Sequence, residues 1–528
     1  MPAPTTTTEA VTHKLCSLIL KSALVARSRT RSLNDLPDDL ILLVLEFAEV
    51  MDIIRLRQTS KRMYRLSKLR WVWSTAIKRL MVERQLTIPA LGLDVDAFSA
   101  KHFETRAVHA IKFHENWHSE RPAPKRKVKI QLKPKPGEAF GSIKRVFFLP
   151  GKKGEILVTV TQRSIACWEV PLGGSEGFCL AEIVAPGDIR DAIVNEDPNH
   201  ETQIVFSHVG TGSETSEYVF TLLHLDEFHG RLVVLHRSSV PSNVGFIFHV
   251  LHGRWLACGK WPFALDIEYR SQKILGLCHS QASRVAAVKF VNDCLMIVTS
   301  KHVYIASIFE DERLETYDVK CAVLARFTFS ILDAAIWVQK PLRQAKRNDE
   351  MPELVSLVLR CDDRGFETLK QLDCLRNPKG TIEPCVGRFV PLFSPVCTQT
   401  IMISPSSCNF VMGAHGKGVF FETKTITTSS RTSYTARCLG GFELTRNDRD
   451  FDMLYQDTRN EKCPLQPYRL PYAPPLFVQC KREIYSRRCD MGEVLYRCFT
   501  LISVALEDDV GRIAIGDRNG LLEVMEYA

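Results

Sequence analysis

No run of about 18 uncharged apolar residues occurs in the 528-residue sequence, so no membrane-spanning helix is expected. The longest apolar block, Leu40 to Leu45, is six residues long. No two of the 17 cysteines stand in a C-x-x-C spacing, which excludes a zinc ribbon and a thioredoxin-type redox pair. Several cysteines instead sit inside apolar runs, as in Ile165 to Trp168 and Trp255 to Cys258, where a free thiol acts as a small buried hydrophobe. Met1 to Thr8 is polar and carries no apolar signal core. A reducing compartment, cytoplasm and/or nucleus, is expected. Phosphate-binding and nucleophile motifs are missing too. Gly413-Ala-His-Gly416-Lys-Gly418 lacks the Ser or Thr of a P-loop and reads as a hairpin turn, and there is no G-x-S-x-G elbow. The expectation is a chain without cofactor and without catalysis of its own.

Charge is present but unevenly placed. Residues 1–145 hold 27 Lys and Arg against 14 Asp and Glu, whereas residues 146–528 hold 42 against 46. The overall charge of +9 is therefore an N-terminal property, and no nucleic-acid partner is expected for the large C-terminal part. Residues 1–32 read as a flexible arm; Lys14, Lys21, Arg27, Arg29 and Arg31 without an acid also give residues 11–31 the composition of a presequence. Pro124-Lys-Arg-Lys-Val128 is similar to a short import signal, but residues 121–139 read equally as a basic Pro/Lys-rich linker.

Between Leu33 and His118 proline occurs only at 37 and 89, and glycine only at 92, so helices are expected. Asn34 or Asp35 can cap the first, with Pro37 in its first turn, and Asp52 can cap the second. Leu40, Leu43, Val44 and Phe47 recur at helical spacing while Ile41, Leu42 and Leu45 fill the other faces. A helix apolar nearly all round has to be buried on more than one side.

Leu36-Pro37-Asp-Asp-Leu40, Val44, Phe47, Asp52 to Arg57, Ser60-Lys61-Arg62 and Trp73 together resemble an F-box, with Ala48, Val50 and Thr59 departing from its usual Leu, Pro and Val. The resemblance implies a three-helix motif that docks on a Skp-type adaptor and, through it, on a cullin scaffold. Its motif carries over to Leu36, Pro37, Leu40, Val44, Ile53, Leu56 and Trp73 as adaptor-binding residues. The alternative is a small helical subdomain packed on the rest of the chain.

Asp96 to Trp117 reads as one more helix and ends in His114-Glu115-Asn116-Trp117-His118, which fits H-E-x-x-H. In a zinc hydrolase His114 and His118 would hold the metal and Glu115 would activate water. Arg121-Pro122 ends the helix at once and no third histidine follows in a ligating spacing, so a polar helix terminus is the preferred reading.

From Phe140 onward short Val-, Ile- and Phe-rich runs alternate with Gly, Asn, Asp and Pro turns. Ile502–Leu506, Arg512–Gly516 and Leu521–Met525, the last two joined through Asn519-Gly520, form a meander. Val146–Leu149, Ile156–Val160 and Ser164–Val170 repeat the scheme. So do Val285–Phe290, Cys294–Thr299 and His302–Ser307, and Thr400–Ser404, Asn409–Gly413 and Gly418–Glu422. With weaker sets at 189–236, 245–269 and 333–372, about seven units result, and the region resembles a degenerate WD-repeat-like propeller, with β-sandwiches as the alternative.

The expected architecture is α+β and multidomain: an F-box helical domain at 33–80, a helical segment at 81–120, the linker at 121–139 and an all-β propeller-like domain at 140–528. The resemblances imply the substrate-recognition subunit of an SCF-type ubiquitin ligase. A non-ligase F-box scaffold and a zinc hydrolase are the alternatives.

Overall fold

The computed structural model describes residues 33–82, 84, 86, 88, 98–119, 122–134, 141–209, 218–240, 247–259, 263–267, 272–273, 284–291, 294–307, 321–326, 330–339, 354–363, 366–375, 410–413, 416–427, 433–443, 482–486 and 501–528. The arm at 1–32 and the expected strand Thr400–Ser404 lie outside them. Two compact units divide the chain at Ile111 and Lys112. No helix among the described residues is long and apolar enough to cross a membrane.

The first unit is helical: α1 (Asp38–Phe47), α2 (Val50–Arg57), α3 (Lys61–Leu66), α4 (Arg70–Val82) and most of α5 (Ala100–Trp117). A short 3-10 turn, Leu33–Asp35, precedes α1. Pro37, not Asn34 or Asp35, occupies the cap position of α1, and its carbonyl accepts the Ile41 N–H at 3.1 Å. Asp52 likewise does not cap α2; it lies in the first turn and pairs with Arg55. Ser60 does cap α3, its hydroxyl accepting the Met63 N–H at 3.1 Å. Ile41, Leu45, Val50, Ile53, Met63, Val72, Trp73 and Ile77 form the core.

Among the described residues the second unit is built of seven small antiparallel sheets. Strand β1 (Arg126–Gln131) comes first in the chain. Blade one comprises β2 (Arg145–Phe148), β3 (Ile156–Val160), β4 (Ser164–Glu169) and β5 (Phe178–Val184). Blade two comprises β6 (Ile189–Val194), β7 (Ile204–Val209), β8 (Tyr218–Asp226) and β9 (Arg231–Val240). Blade three is β10 (Phe248–His252), β11 (Trp255–Cys258), β12 (Phe263–Asp266) and β13 (Gln272–Lys273). Blade four is β14 (Val285–Val291), β15 (Cys294–Thr299), β16 (His302–Ser307) and β17 (Cys321–Arg326). Blade five has three strands among the described residues, β18 (Ser330–Gln339), β19 (Leu354–Asp363) and β20 (Phe366–Leu375). Blade six is β21 (Phe410–Met412), β22 (Lys417–Thr427), β23 (Ser433–Glu443) and β24 (Arg482–Ser486). Blade seven is β25 (Leu501–Glu507), β26 (Arg512–Asp517) and β27 (Leu521–Glu526), and β1 is its fourth strand.

Each blade packs on the next. Ile156, Val158 and Ile165 meet Ile189, Ile204 and Phe206 between blades one and two. Val205 and Leu222 meet Phe248 and Leu256; Trp255 and Ala257 meet Leu295 and Ile297; Met296 and Val303 meet Ile331 and Leu357. The Trp337 ring of blade five lies on Gly416 of blade six, and Val411 and Val419 meet Val504 and Ile515 of blade seven. Blade seven returns to blade one through Val128, Ala514 and Val524 against Ile143, Val146 and Leu157. The result is a closed seven-membered ring, a propeller; seven separate sheets with two neighbours each are not a pair of stacked sandwich sheets.

Closure comes from the span read as a linker. Arg126 pairs with Glu526 and Gln131 with Leu521, in unbroken antiparallel register. Lys127 and Lys129 point outward while Val128 and Ile130 are buried, the period-2 alternation of a half-buried strand. A Lys-rich outer edge is also what discourages pairing with another chain.

Candidate docking surfaces

Two surfaces are candidates for docking, and the first is built on α1. Ile41 and Leu45 are each 1% exposed and point into the helical core. Leu40 and Phe47 on the same helix are 43% and 49% exposed, Pro37 is exposed, and Leu43 and Val44 are half-buried outside the core cluster. The helix thus has one satisfied apolar face and one open apolar face. Arg79 fixes it from below, donating to the Glu46 carbonyl at 2.7 Å and the Ala48 carbonyl at 3.1 Å, where the last helical carbonyls lack partners.

Of the seven residues carried over from the motif, Pro37, Leu40 and Val44 come together on this open face. Leu36 and Leu56 are half-buried against the core, and Ile53 and Trp73 are fully buried within it. Trp73 donates its indole N–H to the Ser67 carbonyl at 2.7 Å, and the Arg57 guanidinium lies 5.5 Å over its ring. Burial raises the Glu104 carboxyl, but Arg57 and Lys68 outweigh it and hold the group below its ordinary value. Ile53 and Trp73 therefore hold the motif together, and Phe47 joins the open face. The motif could not separate these roles, because α1 is apolar in nearly every direction.

The second surface is one mouth of the propeller. The parallel bridge between Asn195 and Leu251 shows that the first strands of blades two and three run the same way, so the starts of β6 and β10 lie on one side of the ring. There Arg145 reaches Asp191 of the next blade at 3.0 Å, and Arg190 and Arg284 are exposed. Asp191 also accepts the Phe248 N–H of blade three at 2.8 Å, stitching three blades. Burial raises the Asp191 carboxyl above its ordinary value against the pull of Arg145 and of its backbone donors. Asp191 follows a register shift in β6, and Asp333 follows the same shift in β18, each accepting the N–H of the next alanine at 2.9 Å. The repeat Ile-x-Asp-Ala at 189 and 331 was the sequence signal for this device.

The H-E-x-x-H segment is put to structural use. The His114 and His118 rings lie 4.1 Å apart, and a His118 ring nitrogen is 2.8 Å from the His114 carbonyl. No group of three or more His, Cys, Asp or Glu able to hold a metal occurs among the described residues. Asn116 between them donates to the carbonyls of Ala123 at 2.8 Å and Tyr527 at 2.6 Å, and Trp117 meets the Tyr527 ring edge-on. The Gly413 turn is a hairpin closed by its N–H on the Lys417 carbonyl at 2.7 Å, with the Asp508 carboxyl filling the space beside it. Burial pushes the Cys167 thiol up to about 12 and raises Cys258 as well, so both are held as thiols.

Residues 33–75 match the F-box domain family. No curated protein matches the chain in sequence. Among solved structures, the C-terminal WD40 domain of Sif2 is similar at 10% identity, covering 76% of this chain and 99% of that one, with a TM-score of 0.35. The propeller assignment rests on the closed ring of blades described above. The chain is an F-box protein with a C-terminal propeller-like region.

Proposed function

We propose that this F-box protein is the substrate-recognition subunit of an SCF-type cullin ubiquitin ligase. The open face of α1 docks on a Skp-type adaptor, the adaptor joins it to the cullin, and the propeller mouth holds a protein target. The chain itself performs no bond chemistry; ubiquitin transfer follows from the proximity it creates. One observation carries the reading: α1 leaves Leu40 and Phe47 about half exposed beside a core that already buries Ile41 and Leu45. Covering the rest of such a side chain contributes about 1 kcal/mol each, and aromatic and aliphatic anchors of this kind dominate interfaces.

Co-purification with the adaptor tests it. Leu40→Asp with Phe47→Asp is expected to abolish recovery of the adaptor while leaving the melting temperature within a few degrees of wild type. Ile41→Ala removes a core side chain and is expected to cost about 2–5 kcal/mol of stability instead. Undiminished adaptor recovery with the double variant refutes the docking face. A target of the ligase accumulates when the protein is removed; if no partner does so, the scaffold alternative is the correct one.

A further inference from the structure

Residues 121–139 hold seven Lys and Arg against one acid, Glu138, and the pairing of β1 carries part of that charge onto the propeller rim. Strand β1 is the outermost of its sheet, in the order β1-β27-β26-β25, so one of its edges has no strand beside it among the described residues. The Leu132 N–H donates to the Gly520 carbonyl at 2.8 Å, and with the unbroken register this fixes the parity of the strand. Val128, Ile130 and Leu132 turn their backbone groups to β27, while Lys127, Lys129 and Gln131 turn theirs outward. Those three residues are also exposed, as is Lys133 beyond them, so cations recur along the open edge with about 6.6–6.8 Å between alternate residues. Glu523, 8% exposed, lies 3.9 Å from Lys127; Lys129 and Lys133 form no ion pair among the described residues.

An open edge offers backbone donors and acceptors in alternation, which only another extended peptide can match group for group. A nucleic-acid strand would meet the ammonium groups but leave the outward carbonyls without donors. The lysine row narrows the choice further, since it repels a basic strand and rewards an acidic one. We infer that the outer edge of β1 takes up an acidic strand from a partner protein, added antiparallel, with carboxylates on alternate residues opposite Lys127 and Lys129. Antiparallel addition continues the pairing used throughout this sheet and sets each carboxylate directly across from a lysine. The same lysines that guard the edge against indiscriminate pairing therefore admit one class of ligand. The edge is separate from the open face of α1 and from the propeller mouth, so the inference does not rest on the ligase reading.

The test uses the full-length protein and fluorescent probes read by anisotropy: a peptide of about ten residues alternating Glu with Val and Thr, its Gln counterpart, and a single-stranded oligothymidylate. The Glu peptide is expected to bind at least about tenfold more tightly than the Gln peptide, and to weaken as salt rises. Two N-methylated forms separate strand addition from plain charge attraction. Methyl groups on the Glu nitrogens, which face β1 in the antiparallel pairing, should weaken binding at least about tenfold; methyl groups on the Val and Thr nitrogens should leave it within about threefold. Lys127→Glu with Lys129→Glu should weaken the Glu peptide at least about tenfold, whereas Lys78→Glu, an exposed cation on α4, should leave it within about twofold. Lys127→Gln with Lys129→Gln serves if the charge reversal lowers the melting temperature, and it should also weaken the peptide. Equal affinity for the Glu and Gln peptides, equal affinity for the two methylated forms, or equal loss with Lys78→Glu overturns the proposal. So does tighter binding of the oligonucleotide that the Lys127/Lys129 variant removes, which would make the edge a nucleic-acid site. Adaptor recovery with that variant is expected to be unchanged, so failure here and failure of α1 docking read out separately.

Discussion

Arg512 is ion-paired with Glu526 inside blade seven, with its guanidinium completely buried. Its remaining N–H groups go to blade one: the Gly154 carbonyl at 2.7 Å, the Val170 carbonyl, and the Pro171 carbonyl at 2.8 Å. Glu526 also accepts the Gly173 N–H at 3.0 Å. Removing one partner of such a pair leaves a buried charge and several carbonyls unsatisfied. Arg512→Met is expected to cost about 3–5 kcal/mol in denaturant unfolding. Arg512→Lys should recover only part of that, because an ammonium cannot reproduce the planar fork. A loss below about 1 kcal/mol for Arg512→Met would show that the pair is dispensable.

Two tryptophans two positions apart should behave oppositely. Trp73 is fully buried with its indole N–H on the Ser67 carbonyl, while Trp71 is 46% exposed. Trp73→Ala should destabilise the helical unit by about 3–5 kcal/mol, and Trp71→Ala by less than about 1 kcal/mol. Circular dichroism melts of the two variants decide the matter; similar losses would contradict the placement of both side chains.

Asp333 gives the propeller a specific pH dependence. Burial raises its carboxyl from 3.8 to about 6, opposed by the Ala334 N–H and by Arg360 and Arg284. Because the folded state holds the proton more tightly than the unfolded state, this stabilisation is complete below pH 3.8 and is lost as pH rises through about 6. Its size is about 2–3 kcal/mol. Asp333→Asn keeps an acceptor for Ala334 and should flatten the stability profile between pH 4 and 7, measured as urea midpoints across that window. An unchanged slope would mean that another group sets it.

Gly416 adopts φ +89°, and a Cβ there would stand 2.7 Å from the Trp337 ring. Gly416→Ala therefore meets both backbone strain and overpacking, and should cost about 2–4 kcal/mol. Adding Trp337→Leu should relieve the steric part but not the strain, so the double variant is expected to be less destabilised than the two single losses summed. Simple additivity in thermal unfolding would argue against the contact.

Much of this was legible in the chain itself. The Asn519-Gly520 hairpin forms as its turn chemistry dictates, with Asp517 accepting the N–H groups of Asn519 and Leu521 at 2.9 and 2.8 Å. The Val- and Ile-rich runs within 146–170 and 285–307 are strands, as short β-branched runs bounded by turn residues imply. Strand β1 was hidden for the opposite reason: in Lys127-Val-Lys-Ile130 composition suggests a linker, and the alternation is only four residues long. Its partner, moreover, lies about 390 residues away in sequence. The open face of α1 was implied by too many apolar residues, but which ones face outward depends on how α3 and α4 pack beneath it. Pro37 displaced the expected caps because the 3-10 turn at Leu33–Asp35 starts the helix later than a simple reading of Asn34 and Asp35 would place it.

The pairing of β1 with β27 also sets a clock on biosynthesis. At ribosomal speeds of about 5–20 residues per second, the segment Arg126–Gln131 waits roughly 20–80 s before Leu521–Glu526 is made. Until then the Arg126–Gln131 backbone has no strand to pair with, and the ring stands open at the seam between blades seven and one. A chain halted before Leu521 would keep that open seam permanently, a sticky edge for chaperones or proteases to grip. The ring can close only after both Arg126–Gln131 and Leu521–Glu526 have been made.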